Sequence, residues 1–319
     1  MTEIITAAAH TNIALIKYWG KKDAVLNIPT TSSLSMTLDQ FYTTTSLEFN
    51  PSAAQDTLIL NGRETDATRV RKFLNIFRSE FVNFEPLSVS SENHVPTAAG
   101  LASSASSFAA LTAAINVLLD LNLSPMQMSR YARRGSGSAT RSIYGNFAIW
   151  NKGENDASSY AESFLDADIG LSMIVAEVSD SAKKISSTKG MQLAQTSPLY
   201  ADWVRDSERE LQEMKVAIKN SDLEQIGFIA QANALAMHEL NRTCVQPFDY
   251  FVDETRQLIA FTESCYKSGL LAFVTIDAGP NVKIITDHSN EQTLLKRLQE
   301  NFPSLSFNIA HAGQGVQIV

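Results

Sequence analysis

Residues 94–111 read HVPTAAGLASSASSFAAL, and this stretch decides the fold. Small side chains run from Thr97 to Ser104, and an Ala-, Leu- and Ser-rich pattern with helical periodicity covers Ala102 to Leu121. Small residues let a ligand approach the backbone closely, and the free N–H groups of a helix start favour phosphate. The stretch therefore predicts an anion-binding turn followed by a long, largely buried helix. Taken alone, it also fits a buried Ala- and Ser-rich helix after an ordinary glycine turn.

The pattern differs from two common nucleotide-binding motifs. It lacks the G-x-x-x-x-G-K-[ST] spacing of a Walker loop, and no G-x-G-x-x-G opens a dinucleotide-binding unit. The five histidines form no metal-binding spacing, and none is assigned a catalytic role. A phosphate site of another type is therefore expected.

The charge distribution points to a small polyanionic ligand. The formal net charge is -8, which disfavours nucleic acid and anionic lipid as partners. Basic residues nevertheless cluster in three places, although solvated surface charge explains any one cluster equally well. The clusters are Lys17, Lys21 and Lys22; Arg133, Arg134 and Arg141; and Lys183, Lys184 and Lys189.

Length and composition indicate a globular protein of two domains. The chain has 319 residues, of which 44% are hydrophobic and 19% charged. Strand patterns precede the long helix, whereas helices and then strands follow Ile169–Val178, itself predicted to be a central strand. We expect an α+β fold with domains at residues 1–180 and 181–319. No apolar run reaches the ~18 residues of a membrane span, so a cytoplasmic protein with reduced Cys244 and Cys265 is expected.

Three further segments combine with the first to give a family resemblance. The order Pro96, Gly100-Leu101 and Ser103-Ser104-Ala105 resembles the nucleotide-binding motif of the GHMP small-molecule kinases. NIALIKYWGK (12–21), GSGSATRSIYG (135–145) and DAGPN (277–281) look like the signatures of mevalonate diphosphate decarboxylase. The motifs keep the order and spacing of that family over nearly the whole chain.

The resemblance implies a fold, a reaction and partners. The fold is an N-terminal mixed sheet with a long phosphate-binding helix and a C-terminal ferredoxin-like α/β sandwich. The reaction is the ATP-dependent decarboxylation of (R)-5-diphosphomevalonate to isopentenyl diphosphate, with ADP, phosphate and carbon dioxide. The implied cofactors are ATP and Mg²⁺, and the implied assembly is a homodimer without nucleic-acid or membrane partners. Ser104 is the candidate metal contact, and no protein metal ligand is assigned.

Two charged residues have the physical features of a catalytic pair. Asp277 follows the apolar run Leu271–Ile276 and precedes a tight turn, so its carboxylate can face a cleft and accept a proton. Lys17 lies in the apolar run Ile13–Trp19, where an unpaired ammonium is costly. By resemblance the two form a pair at the 3-hydroxyl of the substrate. A turn-capping aspartate and a lysine whose head reaches solvent are the alternatives.

The remaining site residues are carried over from the resemblance. Arg141 is assigned to the substrate carboxylate, and the helix-cap alternative stays open for Ser136 and Ser138. Some relatives have arginine where this chain has Thr188, and Arg71 aligns poorly with a contact of other members. The substrate residues are Tyr18, Trp19, Gly20, Lys21, Ser136, Gly137, Ser138, Ala139, Thr140, Arg141, Ser187 and Thr188. The ATP residues are Pro96, Ala98, Ala99, Gly100, Leu101, Ala102, Ser103 and Ser104.

Two other functions compete with this interpretation. The first is a related kinase that phosphorylates the 3-hydroxyl of mevalonate or phosphomevalonate without decarboxylation. The motifs that suit a second phosphate argue against it. The second is a sensor that keeps the fold without catalysis, and the presence of both Lys17 and Asp277 argues against that.

Overall fold

The computed structural model describes residues 4–94, 103–179 and 184–319, and these form two large sheets, a small two-stranded sheet of Lys21–Asp23 and Ile28–Pro29, and helices. Since Ile5–Ile16 and Ser33–Phe49 alternate buried and half-exposed residues over part of their length, they form long paired strands. The strands are β1 (Ile5–Ile16), β2 (Lys21–Asp23), β3 (Ile28–Pro29), β4 (Ser33–Phe49), β5 (Thr57–Leu60), β6 (Arg63–Thr65), β7 (Leu87–His94), β8 (Phe147–Trp150), β9 (Ala161–Leu165), β10 (Leu171–Glu177), β11 (Phe273–Ile276), β12 (Val282–Asp287), β13 (Ser306–Ala310) and β14 (Gln317–Ile318). The helices are α1 (Thr68–Glu80), α2 (Ser103–Leu118), α3 (Pro125–Gly135), a 3-10 helix (Gly137–Ile143), α4 (Ser187–Ala194), α5 (Tyr200–Lys219), α6 (Leu223–Thr243), α7 (Asp253–Lys267) and α8 (Glu291–Asn301).

The first sheet is mixed. Its strands lie in the order β14-β1-β4-β7-β5-β6, and β8 and β9 extend it from β4. The β5 and β7 strands are parallel, whereas the other pairs are antiparallel. Helix α2 is rich in buried alanine and packs against β1 and β4. Ser104 in its first turn lines the same cleft as Ala14 and Lys17 at the end of β1.

The second sheet is antiparallel, with the order β11-β12-β10-β13. Helices α4 to α7 separate β10 from β11, and α8 separates β12 from β13, which gives a ferredoxin-like β-α-β-β-α-β connection. The predicted α+β architecture, with a mixed sheet and a separate C-terminal sheet, is confirmed. Strand β10 is central, as its apolar sequence predicts.

The two sheets share one hydrophobic core. Buried side chains from β4, β10, α5 and α6 meet in it, including Leu34, Met173, Leu211 and Ile226. Helix α6 lies at the centre of this arrangement because it packs against both β1 and β11. The end of β1 and the end of β11 are therefore held close together. None of the helices in the described ranges is long and apolar enough to cross a membrane.

Two strand boundaries and one domain division bear on the site. Residues 34–38 and 43–49 belong to one strand, β4. Strand β1 ends at Ile16, so Lys17, within the apolar run Ile13–Trp19, comes directly after the strand. Strand β10 pairs in the second sheet, so a division that keeps β10 with its partners falls between Leu165 and Leu171. The C-terminal strand β14 nevertheless returns to pair with β1 of the first sheet. The pairing partners of β10 lie more than a hundred residues away, and local sequence does not encode them. The division at residue 180 stays a prediction.

Candidate active site

A cleft of about 580 Å³ lies where the ends of β1 and β11 meet. The first turns of α2 and α4 and the 3-10 helix complete its walls. Twelve of the predicted site residues line it together. They are Lys17, Tyr18, Trp19, Lys21, Ser104, Ser136, Gly137, Ser138, Arg141, Ser187, Thr188 and Asp277.

The predicted contact between Lys17 and Asp277 is present. The Lys17 Nζ lies 2.7 Å from Asp277 Oδ1 and donates a second bond to the Ala14 carbonyl oxygen at 2.9 Å. Burial lowers the pKa of Lys17, while the Asp277 carboxylate opposes that shift. The side chain of Asp277 keeps 35% of its surface exposed, on the cleft side. The ammonium is thus sequestered while the carboxylate stays accessible to a ligand.

A second lysine near this carboxylate was missed by sequence reasoning. Lys283 lies on β12, and its Nζ is 3.9 Å from Asp277 Oδ2. The residue is almost fully buried, and Nζ also donates to the Asn281 carbonyl oxygen at 3.3 Å. The sequence contained a signal for it, because Lys283 lies within the apolar run VKII (282–285) and a buried lysine requires a partner.

Arg141 is a buried cation beside the cleft. Its Nε donates to Asn12 Oδ1 at 3.1 Å and its Nη1 to Ser33 Oγ at 2.6 Å. Burial lowers the pKa of Arg141 to about 10, so the guanidinium stays charged at neutral pH. None of the described carboxylates forms an ion pair with it. Since only two of five N–H donors are used by these bonds, the site favours an anionic ligand.

Three hydroxyl groups follow one another along the same wall. Ser104 Oγ lies 3.2 Å from Ser136 Oγ, which lies 3.4 Å from Ser138 Oγ. Ser136 occupies the N-cap position of the 3-10 helix, but its side chain makes no capping hydrogen bond. The cap explanation for Ser136 is therefore wrong.

A second group of donors lies after β1. The Tyr18 hydroxyl is buried without a hydrogen-bond partner among the described residues, and burial raises its pKa. Trp19 donates from Nε1 to Asn241 Oδ1 at 3.0 Å, so its indole anchors the segment. Lys21 Nζ donates to Asn27 Oδ1 at 2.6 Å, and burial lowers the pKa of Lys21. Gly20 has φ +140°, and a Cβ there would lie 1.8 Å from the Tyr200 hydroxyl, so only glycine fits.

Arg69, rather than Arg71, faces this cleft. Arg69 donates from Nη2 to the Gly135 carbonyl oxygen at 2.9 Å and lies over the Phe108 ring. Arg71 lies 3.7 Å from Asp66 and lines a different pocket. Residues two apart on a helix point in nearly opposite directions, which explains the difference. The sequence does not show which side of the helix Thr68–Glu80 faces the cleft, and this orientation is needed to choose Arg69 over Arg71.

The remaining predicted residues fall into three groups. Ser187 and Thr188 begin α4, whose N-cap Ser186 accepts from the Lys189 backbone N–H. Ala139 and Thr140 are buried, and the Thr140 hydroxyl donates to the Ser129 carbonyl oxygen at 2.8 Å, so its side chain points away from the cleft. Ser103 opens α2, and its carbonyl oxygen accepts from the side chains of two following serines. The ATP positions Pro96, Ala98, Ala99, Gly100, Leu101 and Ala102 lie outside the described residues.

The fold and cleft define a two-domain α+β protein whose cleft suits a polyanion next to a lysine-paired carboxylate. Family models match both parts of the chain. Residues 9–161 match the diphosphomevalonate decarboxylase-like N-terminal domain, and residues 173–317 match the mevalonate 5-diphosphate decarboxylase C-terminal domain. The chain belongs to the diphosphomevalonate decarboxylase family, which confirms the resemblance expected from its motifs.

Individual relatives agree with this membership. The diphosphomevalonate decarboxylase of Candida albicans is 34% identical, covering 93% of this chain and 88% of the relative. A structure of the mevalonate diphosphate decarboxylase from Staphylococcus aureus is 40% identical, with a TM-score of 0.95 over 100% of this chain and 98% of that one. A structure of MDDEF in complex with MVAPP, AMPPCP and magnesium is 42% identical, with a TM-score of 0.95 over 100% and 99% of the two chains.

Proposed function

We propose that this protein uses ATP to convert (R)-5-diphosphomevalonate to isopentenyl diphosphate, ADP, phosphate and carbon dioxide. The observation that carries the proposal is one cleft that combines an accessible, lysine-paired carboxylate with the buried cation of Arg141. The first group suits a hydroxyl that is to be phosphorylated, and the second suits a carboxylate. Diphosphomevalonate contains both groups on neighbouring carbons and adds a diphosphate.

Asp277 acts on the 3-hydroxyl of the substrate. Its carboxylate accepts the hydroxyl proton or orients it while the hydroxyl oxygen attacks the terminal phosphorus of ATP, and ADP leaves. The Lys17 ammonium, 2.7 Å away, favours the ionised carboxylate and fixes its direction. The phosphate group of the new ester then leaves as inorganic phosphate with the C–O bonding electrons, so positive charge develops at the tertiary carbon. Electrons of the carbon–carboxylate bond form the new double bond, and carbon dioxide departs.

Arg141 holds the carboxylate for this last step. Its bonds to Asn12 and Ser33 fix the guanidinium plane, and its remaining donors suit two parallel hydrogen bonds to a carboxylate. The same contact stabilises the ground state, so it accelerates the reaction only through positioning.

The diphosphate occupies the donor-rich end of the cleft. Tyr18, Lys21 and Arg69 supply a phenol and two cations there, and Ser136 and Ser138 supply hydroxyls. The buried Tyr18 hydroxyl has no partner among the described residues, which favours a ligand oxygen at this position. Backbone N–H groups near Gly20 and the start of α4 are further donors.

The cleft fits a magnesium ion that binds together with the nucleotide phosphates. No cluster of three or more His, Cys, Asp or Glu side chains suited to a metal occurs among the described residues. Mg²⁺ prefers oxygen ligands and is commonly bound through substrate phosphates, and Ser104 offers a hydroxyl in the cleft. When bound, the ion neutralises charge on the transferred phosphoryl group.

The test is a coupled assay of ADP formation with carbon dioxide measured in parallel. Diphosphomevalonate is expected to give both products in equal amounts, whereas mevalonate and phosphomevalonate give neither at a comparable rate. ADP without carbon dioxide on any of the three substrates would instead identify a 3-kinase. No ADP on all three would identify a binding protein without catalysis.

Three further expectations complete the proposal. They are a homodimer, a cytoplasmic location and two structural units divided near residue 180. Light scattering on the purified chain tests the first, and fractionation of the source cells tests the second. The separate sheets support two units. Comparing the folding of the fragments 1–168 and 169–319 with that of 1–180 and 181–319 tests the position of the division.

A further inference from the structure

Helix α6, which contributes Met237 to the cleft, carries three buried polar residues. Asn233, His238 and Asn241 are each fully buried, although the helix is otherwise rich in Ala, Leu and Ile at its buried positions. Burying an amide or imidazole destabilises the fold unless hydrogen bonds compensate. Each forms at least one hydrogen bond, while His238 Nδ1 and Asn241 Nδ2 have no partner among the described residues. Each has a bonded partner in one of the two segments that contain Lys17 and Asp277.

Asn233 binds the backbone of Lys17. Its Oδ1 accepts from the Lys17 backbone N–H at 2.7 Å. Its Nδ2 donates to Glu210 Oε2 at 2.7 Å and to Ser207 Oγ at 3.1 Å, both on α5. The amide is therefore fixed from one side by α5 and fixes Lys17 on the other. Because Lys17 lies beyond the end of β1, no strand pairing holds this N–H in its place.

His238 binds the backbone on the other side of the ion pair. Its Nε2 lies 3.2 Å from the carbonyl oxygen of Ile276, the residue before Asp277. Burial lowers the pKa of His238 to about 3, so the imidazole is neutral and Nε2–H is the donor. The Phe251 ring packs against the imidazole with centroids 4.4 Å apart, which fixes its orientation.

We propose that Asn233 and His238 are positioning residues that set the distance between Lys17 and Asp277. The inference rests on the proposed function of that pair. The two side chains lie five residues apart, about 7.5 Å along one rigid helix. Asn233 holds the backbone of Lys17, which carries the ammonium. His238 holds the backbone of Ile276, which precedes the carboxylate of Asp277. Asn241 extends the arrangement by accepting from the Trp19 indole at 3.0 Å.

A matched pair of variants separates positioning from general stability. His238→Met removes the donor to Ile276 while keeping an apolar side chain of similar length. Gln231→Met is the control, because Gln231 lies on the same helix and accepts from the Val274 backbone N–H of the same strand at 2.9 Å. That bond is two residues further from Asp277. We expect both variants to lower the unfolding temperature, but only His238→Met to lower kcat by about 10-fold or more.

Two measurements distinguish the proposal from a merely structural role. KM for diphosphomevalonate is expected to change less than about threefold in His238→Met, because the diphosphate contacts lie elsewhere. His238→Gln, which returns an amide N–H near the position of Nε2, is expected to restore most of kcat. Asn233→Ala provides an independent second variant, with reduced kcat and little change in KM.

A double-mutant cycle with Asp277→Asn gives the decisive result. If His238 acts through Asp277, His238→Met lowers kcat much less in the Asp277→Asn background than in the wild type. Equal losses in both backgrounds would overturn the proposal, as would equal kcat values for His238→Met and Gln231→Met. A wild-type protein that forms no ADP from diphosphomevalonate would instead refute the proposed function itself.

Discussion

The two walls of the cleft differ in what they contribute. The first wall, built on the first sheet, the small β2–β3 sheet and the 3-10 helix, presents cations and hydroxyls that suit the charged groups of a substrate, among them Arg141, Lys21 and the serines that follow α3. The wall built on the second sheet presents Asp277, with Lys283 behind it and α6 beside it. Lys17 leaves the first sheet and reaches across to the second. Under the proposed function, the first wall serves mainly to bind the substrate and the second mainly to accept its proton.

Asp277→Asn should abolish proton transfer at the second wall and leave substrate binding at the first wall intact. Asparagine keeps the shape but accepts no proton, and the loss of a general base lowers kcat by about 10²–10⁴-fold. KM for diphosphomevalonate should stay within a few-fold of wild type. Steady-state kinetics of ADP release measure both constants. A variant that kept more than about a tenth of wild-type kcat would fall outside that range and show that Asp277 is not the general base.

Arg141→Lys should show the largest effect on the first wall. Lysine keeps the charge but loses the planar fork, and a hydrogen bond to a charged group contributes about 1.5–3 kcal/mol, so we expect a loss of roughly 10- to 100-fold in kcat. The ratio of carbon dioxide to ADP should fall below one if phosphorylation continues while the carboxylate is no longer held. A near-normal rate would show that Arg141 attracts the diphosphate only through its charge.

The difference between the walls also explains what sequence could predict. The first wall comes from contiguous motifs, so 12–21 and 135–145 identify most of its residues. The second wall comes from isolated residues on separate elements, and only Asp277 lies in a recognisable motif. Lys283, Asn233 and His238 gain their positions through the pairing of β11 with β12 and the packing of α6, neither of which local sequence encodes. Arg69 lies on the first wall but was missed for a related reason, because helical phase decides which arginine of α1 faces the cleft.

Ser104→Leu tests whether the nucleotide binds next to the substrate at the adjacent hydroxyls of Ser104, Ser136 and Ser138. The larger side chain lies at the first turn of α2, beside Ser136, and obstructs any phosphate held there. We expect KM for ATP to rise about tenfold or more through the loss of one charge-assisted hydrogen bond, with an unchanged unfolding temperature. Ser107→Leu is the control, since Ser107 lies one turn later and donates to the Ser103 carbonyl oxygen. Equal ATP constants in both variants would place the nucleotide elsewhere.

Arg69→Gln should produce the smallest effect and the clearest test of helical phase. Arg69 reaches the diphosphate end of the cleft from an exposed position, where a charge pair contributes about 0.2–1 kcal/mol. KM for diphosphomevalonate should therefore rise by up to about fivefold, with kcat unchanged. Since exposed charges are screened by salt, the difference from wild type should shrink at about 1 M ionic strength.

Arg71→Gln is the matched control for this prediction. It removes the same charge from the same helix, but Arg71 contacts Asp66 and Gln55 on the opposite side. If net charge alone steered the polyanionic substrate, both variants would raise KM equally at low salt. A direct contact raises KM only in Arg69→Gln. An effect confined to Arg71→Gln would instead show that the diphosphate binds away from Lys21 and Tyr18. The first wall would then not be the part of the cleft that binds the charged groups of the substrate.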